Sequence, residues 1–182
     1  EDKLVIPDHM KEILAEITTQ ARLSSEINQR SGVSVRVSIS NFETMLGNAV
    51  RRGIRSKEEW ACPRVSDLSF IGASFAGKIE LETFEEGRES RLTDDLTRRA
   101  VLRTFGSYFE VDDLEAIVDS FDLGNRAETG SDLPAAGYPG LVKNIDGLDK
   151  AVKKLTRDKR PEVIASAVEF ILEGLHLSRK LN

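Results

Sequence analysis

The amino-acid sequence predicts an all-α protein. Apolar residues recur at helical intervals over most of the chain, and only one short stretch alternates as a β-strand would. There is no internal repeat of fixed period and no low-complexity tract. With 40% hydrophobic and 31% charged residues among 182, the composition is that of a globular protein with apolar side chains for one sizeable core or two small ones.

The first helix is predicted to begin near Pro7, because proline has a helix-compatible φ and Asp8 places a carboxylate at the start of the helix. Its apolar residues recur every three or four positions and therefore lie on one face. That face comprises Met10, Ile13, Leu14, Ile17 and Ala21.

The segment "SGVSVRVSISNFE", residues 31–43, has two interpretations. Its aliphatic residues alternate with serine and arginine, as in a half-buried strand. A helix that begins after Ser34 and ends near Gly53 instead places five apolar side chains on one stripe. These are Val35, Ile39, Phe42, Leu46 and Val50. A capping box formed by Ser40 and Glu43 would start the helix six residues later. We prefer the start at Ser34, because the strand interpretation needs a turn that the sequence scarcely supplies.

Later helices are predicted by the same intervals. The loop "ACPRVSDL" leads to a helix capped by Ser66 or Asp67, and a long helix and a shorter one follow. An irregular stretch is expected near residues 122–140, where glycine, proline and alanine are frequent and periodicity is weak. Two more helices follow, the second after Pro161. The apolar stripes are, in order, Leu68, Ile71 and Phe75; Leu92, Leu96, Ala100, Phe105 and Phe109; Leu114, Ile117, Val118 and Phe121; Leu148, Val152 and Leu155; Ile164, Val168, Ile171, Leu172 and Leu175.

Charge and cysteine content argue against several classes of protein. The chain carries 31 acidic and 26 basic residues, and its net charge of −5 argues against nucleic acid or an anionic membrane as the main partner. No apolar run approaches the roughly 20 residues of a membrane span. Cys62 is the only cysteine, so no internal disulfide or thiolate metal cluster forms, and a cytoplasmic location is expected. Neither His9 nor His176 has a metal-ligating partner four residues later, and no metal site is predicted.

One stretch is similar to a phosphate-binding loop. Residues 72–79, "GASFAGKI", match the pattern G-x-x-x-x-G-K-[ST] except at the last position, where Ile79 has no hydroxyl to ligate magnesium. The preceding residues have a helical rather than a strand pattern, and Gly77 followed by Lys78 is typical of a helix C-terminus. We therefore interpret this segment as the end of a helix.

Arg36 is the more promising residue for anion binding. It would lie two residues after a helix N-cap, where free backbone N–H groups favour an anion and a guanidinium can bind phosphate with two hydrogen bonds. The alternative is a solvated arginine beside Glu43 and Arg51 on the polar face of the helix. Arg30 has the same two interpretations.

Three segments resemble one family. Residues 27–43, "INQRSGVSVRVSISNFE", resemble the start of the lid helix that carries the second sensor arginine in AAA+ ATPases of the magnesium-chelatase and MoxR branch. The family pattern of Gly, a small residue, Ser, any residue and Arg is matched from Gly32 to Arg36, although Val35 stands where MoxR relatives often have proline. "PRVSDLSFIGASFAGKIELE" is similar to the later lid segment and "SAVEFILEGLHLSRKL" to the C-terminal helix.

The resemblance implies a two-part helical region: residues 1–82 as the AAA+ lid and residues 83–182 as an additional C-terminal helical domain. Arg36 is then expected to take part in ATP hydrolysis, and Arg36 with Arg30 to contact the nucleotide. ATP and magnesium would be bound mainly by a core domain that this chain does not include, so the chain is not expected to be an enzyme by itself. Its start at Glu1 rather than methionine fits the C-terminal part of a longer ATPase.

The partners implied by the resemblance are the AAA+ core of the same protein, neighbouring subunits of a ring and an unidentified protein that the ring remodels. A different class of function remains open from the residues alone. The chain would then be a stand-alone all-α interaction or regulatory module without catalysis, and Arg36 an ordinary surface residue.

Overall fold

The computed structural model describes residues 3–28, 30, 32–82 and 87–181. Eight α-helices lie within these residues, and three short 3₁₀ helices connect some of them. The α-helices are α1 (Asp8–Leu23), α2 (Val35–Ser56), α3 (Gly72–Phe75), α4 (Arg88–Tyr108), α5 (Glu115–Asp122), α6 (Tyr138–Asn144), α7 (Leu148–Leu155) and α8 (Pro161–Leu177). The 3₁₀ helices are Val65–Phe70, Val111–Leu114 and Ala135–Gly137.

The prediction of an all-α protein is confirmed for the part of the chain that the structure describes, which contains no β-strand. Two isolated bridges join loop segments, Leu4 with Ala61 and Ile27 with Leu81. Among the same residues, no helix combines the length and the apolar character that a membrane crossing requires.

The core forms around α8, which is buried on nearly all sides because apolar and small residues occupy every face of this helix. Helices α4, α6 and α7 and the 3₁₀ helix Ala135–Gly137 pack against it. Helix α1 lies on α4 and also reaches α8, where the His9 ring stacks on the Phe170 ring with 4.8 Å between centroids. Helix α2 packs on α1, on α3 and on the 3₁₀ helix Val65–Phe70.

The predicted apolar faces of α1, α4 and α8 are largely confirmed. All five residues of the α1 stripe and all five of the α4 stripe are buried, and in α8 only Ile164 is half-buried. Side chains from both sides of residue 82 belong to one hydrophobic cluster, which includes Ile17 of α1 and Phe170 of α8. The division into a lid and a C-terminal domain stays a prediction, and residue 83 lies outside the described residues.

The start of α2 is predicted correctly, but its buried face is not. Ser34 is the N-cap, with extended backbone (φ −74°, ψ 159°). The helix continues without interruption through Ser40 and Glu43, so the later start is wrong. The expected apolar stripe lies largely outside the core: Val35 is 63% exposed and Ile39 53%.

The face of α2 that is buried carries polar residues among apolar ones. Its buried residues are Val37, Asn41, Met45, Ala49, Arg52 and Gly53. Asn41 accepts a hydrogen bond from the hydroxyl of Ser74, and Arg52 binds carboxylates from a later loop. Segments outside α2 supply partners for most of the polar groups on this face. Nδ2 of Asn41 is an exception and has no hydrogen-bond partner among the described residues.

Two further segments differ in detail from the expectation. The residue that caps the 3₁₀ helix Val65–Phe70 is Arg64, not Ser66 or Asp67, and its backbone N–H donates to the Asp67 carboxylate at 2.9 Å. The irregular stretch extends from residue 123 to residue 134, after which a 3₁₀ turn leads into α6.

Gly174 allows α8 to approach α4 closely. A Cβ placed on Gly174 would lie 2.1 Å from Cδ2 of Phe105, a buried ring of α4. We expect Gly174→Ala to lower the free energy of unfolding by about 1–3 kcal/mol, because a close-packed ring has little space into which to move. Gly106→Ala is the matched control: this exposed α4 position has no neighbouring atom within 4 Å. Alanine there should raise stability by up to about 1 kcal/mol, since it favours helix more than glycine does. Urea unfolding measures both, and a stabilising Gly174→Ala would contradict the close contact.

Candidate functional site

Arg36 is the second residue of α2, and its side chain is exposed. The first turn of α2 contains no acidic residue, and the hydroxyl of the N-cap Ser34 makes no capping hydrogen bond. The free backbone N–H groups of this turn therefore keep the partial positive charge of a helix N-terminus. Among the described residues, none forms a hydrogen bond or an ion pair with the Arg36 side chain. A guanidinium and a helix N-terminus thus offer donors to an anion at the same surface.

The turn before Arg36 explains why the segment begins with glycine. Gly32 has a φ of +67°, a left-handed conformation that costs a residue with a Cβ about 1–2 kcal/mol. The next residue, Val33, is buried, and its carbonyl accepts a hydrogen bond from Nε of Arg22 at 3.4 Å. The reversal at Gly32 and this anchor to α1 place Arg36 at the start of α2.

Arg30, the other arginine predicted to bind the nucleotide, lies in the turn between α1 and α2. Its backbone N–H donates to Oδ1 of Asn28 at 2.9 Å, and its side chain is exposed. Two neighbours in the segment that resembles the family, Gln29 and Ser31, lie outside the described residues. The structure thus places Arg30 in the connection between α1 and α2, and Arg36 in the first turn of α2.

The segment that is similar to a phosphate-binding loop has a different structure. Residues 72–75 form the short helix α3, and Gly77 follows with a φ of +70°. The ammonium group of Lys78, which would contact phosphate in such a loop, donates to the carbonyl of Ser74 at 2.9 Å. The interpretation as a helix end is confirmed.

A second group of charged side chains is buried inside the protein. It contains two guanidiniums and three carboxylates, each at most 4% exposed: Arg52, Arg64, Glu58, Asp67 and Glu169. Oε2 of Glu58 accepts from Arg52 at 2.6 Å, and Oε1 accepts from Arg64 at 2.5 Å. Asp67 binds Arg52 with both oxygens, at 2.9 and 3.2 Å, in the bidentate geometry that arginine favours.

This buried network connects segments that are far apart in the sequence. Nη1 of Arg64 donates to the carbonyl of Leu133 at 2.9 Å, and the backbone N–H of Ala135 donates to Glu58 at the same distance. The hydroxyl of Tyr138 donates to Glu169 of α8 at 2.5 Å. Burial, followed by the Glu169 carboxylate, raises the pKa of Tyr138, so the phenol stays a donor. We interpret the network as the clamp that holds the 58–67 loop and residues 133–138 against α8.

His9 is the other buried titratable residue of interest. Its Nε2 lies 3.1 Å from Oγ of Ser166, and that hydroxyl donates to the carbonyl of Pro63 at 2.6 Å. Because the hydroxyl has a single proton, Nε2 of His9 must carry a proton and donate it to Ser166. Burial lowers the pKa of His9 to about 4, so the ring is neutral near pH 7. Its hydrogen bond and stacking make it a packing residue.

The other described side chains considered for catalysis or metal binding are not in an environment that favours either. Burial raises the pKa of Cys62 to about 12, which leaves the thiol protonated and a poor nucleophile. Within the described ranges, no group of three or more His, Cys, Asp or Glu side chains is arranged to hold a metal ion. Of the described sites considered, the start of α2 therefore has the donor set best suited to a ligand.

Sequence reasoning missed the buried network. Arg52 continues the helical intervals of Met45 and Ala49, a weak signal that its side chain points inward. Its partners Glu58 and Asp67 lie in a segment whose sequence favours a loop, and nothing in the sequence indicates that the loop folds back on α2.

Comparison with known proteins assigns no relative: no family model, curated protein or solved structure matches the chain.

Proposed function

We propose that this chain is the C-terminal part of a magnesium-chelatase-like AAA+ ATPase and supplies its sensor-2 lid. The observation that carries the proposal is Arg36: an exposed guanidinium at the uncapped start of a 22-residue helix, with no ionic partner among the described residues. The match of Gly32–Arg36 to the family pattern supports the same conclusion, and the positive φ of Gly32 gives its first position a physical reason.

Each arginine has a defined part in this proposal. When bound on the core domain, ATP supplies the phosphoryl group and magnesium neutralises part of its charge. Arg36 donates hydrogen bonds to the terminal phosphate, where a fixed positive charge favours the transition state of phosphoryl transfer. Arg30 adds a second positive charge to the same anion. In this proposal the magnesium site belongs to the core domain.

The lid also transmits the state of the nucleotide. A domain that contacts the phosphate through one arginine changes its angle when that contact is lost, which is a hinge-type switch. Neighbouring subunits of a ring and a remodelled partner protein respond to that angle. In this proposal, residues 83–182 serve assembly or contact with the partner, and the ATPase acts in the cytoplasm.

The test is an ATPase measurement on the full-length protein. The first requirement is an upstream strand–G-x-x-x-x-G-K-[ST]–helix unit in the same reading frame. With that unit present, Arg36→Ala should reduce turnover at saturating ATP at least about tenfold without changing the thermal unfolding midpoint. Arg51→Ala, at an exposed position of the same helix, is the control and should keep wild-type turnover. Unchanged turnover in Arg36→Ala, or a full-length protein without a phosphate loop, would overturn the proposal.

A stand-alone interaction module is the second candidate function. Exposed apolar side chains along α2 favour it, because monomeric proteins rarely leave a long continuous apolar surface uncovered. In that case Arg36→Ala changes no catalytic rate, and the surface of α2 binds another protein.

A further inference from the structure

Helices α1 and α2 form an open groove that the proposed ATPase function does not use. The two helices run antiparallel: Thr18 lies 3.0 Å from Ser38 between their hydroxyls, and Arg22 contacts the turn that precedes α2. The groove between them has a volume of about 460 Å³, and Leu14, Val35 and Phe42 supply apolar side chains to its lining. Two helices that lie side by side leave a groove of this kind, into which side chains of a third helix can pack.

An apolar stripe on α2 extends the groove. It continues through Ile39 and the half-buried Leu46 to Val50 and Ile54, which are 43% and 75% exposed. From Val35 to Ile54 the stripe covers about 28 Å, roughly five helical turns. An apolar surface of this length, which follows the axis of α2, matches one face of an amphipathic helix rather than a small molecule.

The charged side chains that line the groove indicate which kind of helix would bind there. The two charged side chains that line it, Lys11 and Arg22, are both basic, although the chain as a whole has a net charge of −5. Asp8 pairs with Lys11 at 2.8 Å, so Lys11 is partly neutralised. Among the described residues, the Arg22 side chain makes one hydrogen bond, from its Nε to the Val33 carbonyl. It contacts the turn before the uncapped N-terminus of α2. A partner with carboxylates on the flanks of its apolar face complements this surface.

We propose that the groove between α1 and α2 binds an acidic amphipathic helix of a partner protein. A second copy of the chain is a poorer occupant. The acidic helix α5 carries Glu115, Asp119 and Asp122. Its apolar side chains Ile117, Val118 and Phe121 already pack in or against the core, so α5 could not place them in the groove of another copy without unfolding.

The test uses two labelled peptides of about 18 residues, long enough for five turns. Both carry leucine at every third or fourth position, and the remaining positions are mostly glutamate in one peptide and lysine in the other. Fluorescence anisotropy with the chain, without nucleotide, should show binding of the acidic peptide that weakens as NaCl is raised. The basic peptide should bind at least about tenfold more weakly.

Variants of the chain identify the surface. Ile39→Ser should weaken binding of the acidic peptide at least about tenfold, and Leu123→Ser, at an 86% exposed residue outside the groove, should leave it unchanged. The double variant Lys11→Glu with Arg22→Glu should reverse the preference and bind the basic peptide.

Three results would overturn the inference. They are equal binding of the two peptides, an Ile39→Ser variant that binds like wild type, and self-association in sedimentation that Ile39→Ser abolishes, which would identify a second copy as the occupant. The inference goes beyond the ATPase proposal and fails separately from it, because peptide binding is measured without nucleotide and ATP turnover is measured on Arg36→Ala.

Discussion

Replacing Glu58 with glutamine should lower the free energy of unfolding by about 3–5 kcal/mol. The substitution keeps the shape of the side chain but removes the carboxylate that accepts from both Arg52 and Arg64. Two buried guanidiniums would then share only the carboxylates of Asp67 and Glu169, and the new amide group would point donors towards donors. Arg64 would keep one carboxylate, Glu169, at 3.9 Å in place of Glu58 at 2.5 Å. A buried guanidinium that loses its close partner is not rehydrated, and this makes the removal of Glu58 costly. Urea unfolding followed by far-UV circular dichroism measures the change.

Glu59→Gln is a control for the same chemical change one residue away. Glu59 pairs with Lys3 at 2.8 Å, but both side chains are more than half exposed, so water solvates each group when the pair is lost. We expect no measurable shift of its unfolding midpoint. If Glu58→Gln unfolds at the same urea concentration as Glu59→Gln, the buried network does not stabilise the fold.

Acidification should destabilise the protein through His9. The pKa of His9 is lowered from 6.5 to about 4 in the folded protein, mainly by burial. Between those values the unfolded chain binds a proton that the folded protein does not, so stability is lost as the pH falls from 6.5 towards 4. The shift corresponds to a loss of about 3 kcal/mol once the pH is below the folded pKa.

The variant His9→Gln isolates this effect from the titration of carboxylates. Glutamine does not titrate, so the difference in unfolding free energy between wild type and variant should narrow by about 3 kcal/mol from about pH 7 to about pH 4. The structure indicates that the His9 ring is excluded from solvent. Parallel curves of unfolding free energy against pH for wild type and His9→Gln would contradict this.

The parts of the fold that the sequence predicts well are the helices whose buried face is mainly apolar. In α1 and α4 the hydrophobic intervals coincide with the faces that pack, because burial of aliphatic and aromatic side chains decides their orientation. In helix α2 the hydrophobic intervals do not coincide with the buried face. Its most apolar stripe is largely exposed. Arg52 is buried because Glu58 and Asp67 accept its hydrogen bonds, and Oδ1 of the buried Asn41 accepts from Ser74.

For the candidate site too, the sequence predicts what neighbouring residues determine and misses what distant contacts determine. The prediction that Ser34 is the N-cap residue is correct and places Arg36 at the start of a helix, although the Ser34 hydroxyl makes no capping hydrogen bond. The buried network joins Arg52 to Glu58, six positions away, but also Arg64 to Leu133 and Glu58 to Ala135, 69 and 77 positions away, and the groove depends on the packing of α1 against α2, so no local pattern encodes either. The proposed nucleotide contact depends on a further domain and stays a prediction.

The central position of α8 has a consequence for synthesis on the ribosome. Translation proceeds from the N-terminus, so α1 and α4 leave the exit tunnel before the helix that covers them. Until residues 161–177 emerge, Phe105 lacks its neighbour Phe170, the Glu169 carboxylate is missing from the buried ion pairs, and the apolar faces of the earlier helices stay open to water. The nascent chain is therefore a substrate for chaperones that bind exposed aliphatic and aromatic segments, and a ribosome stalled before α8 would hold a chain that is prone to aggregate.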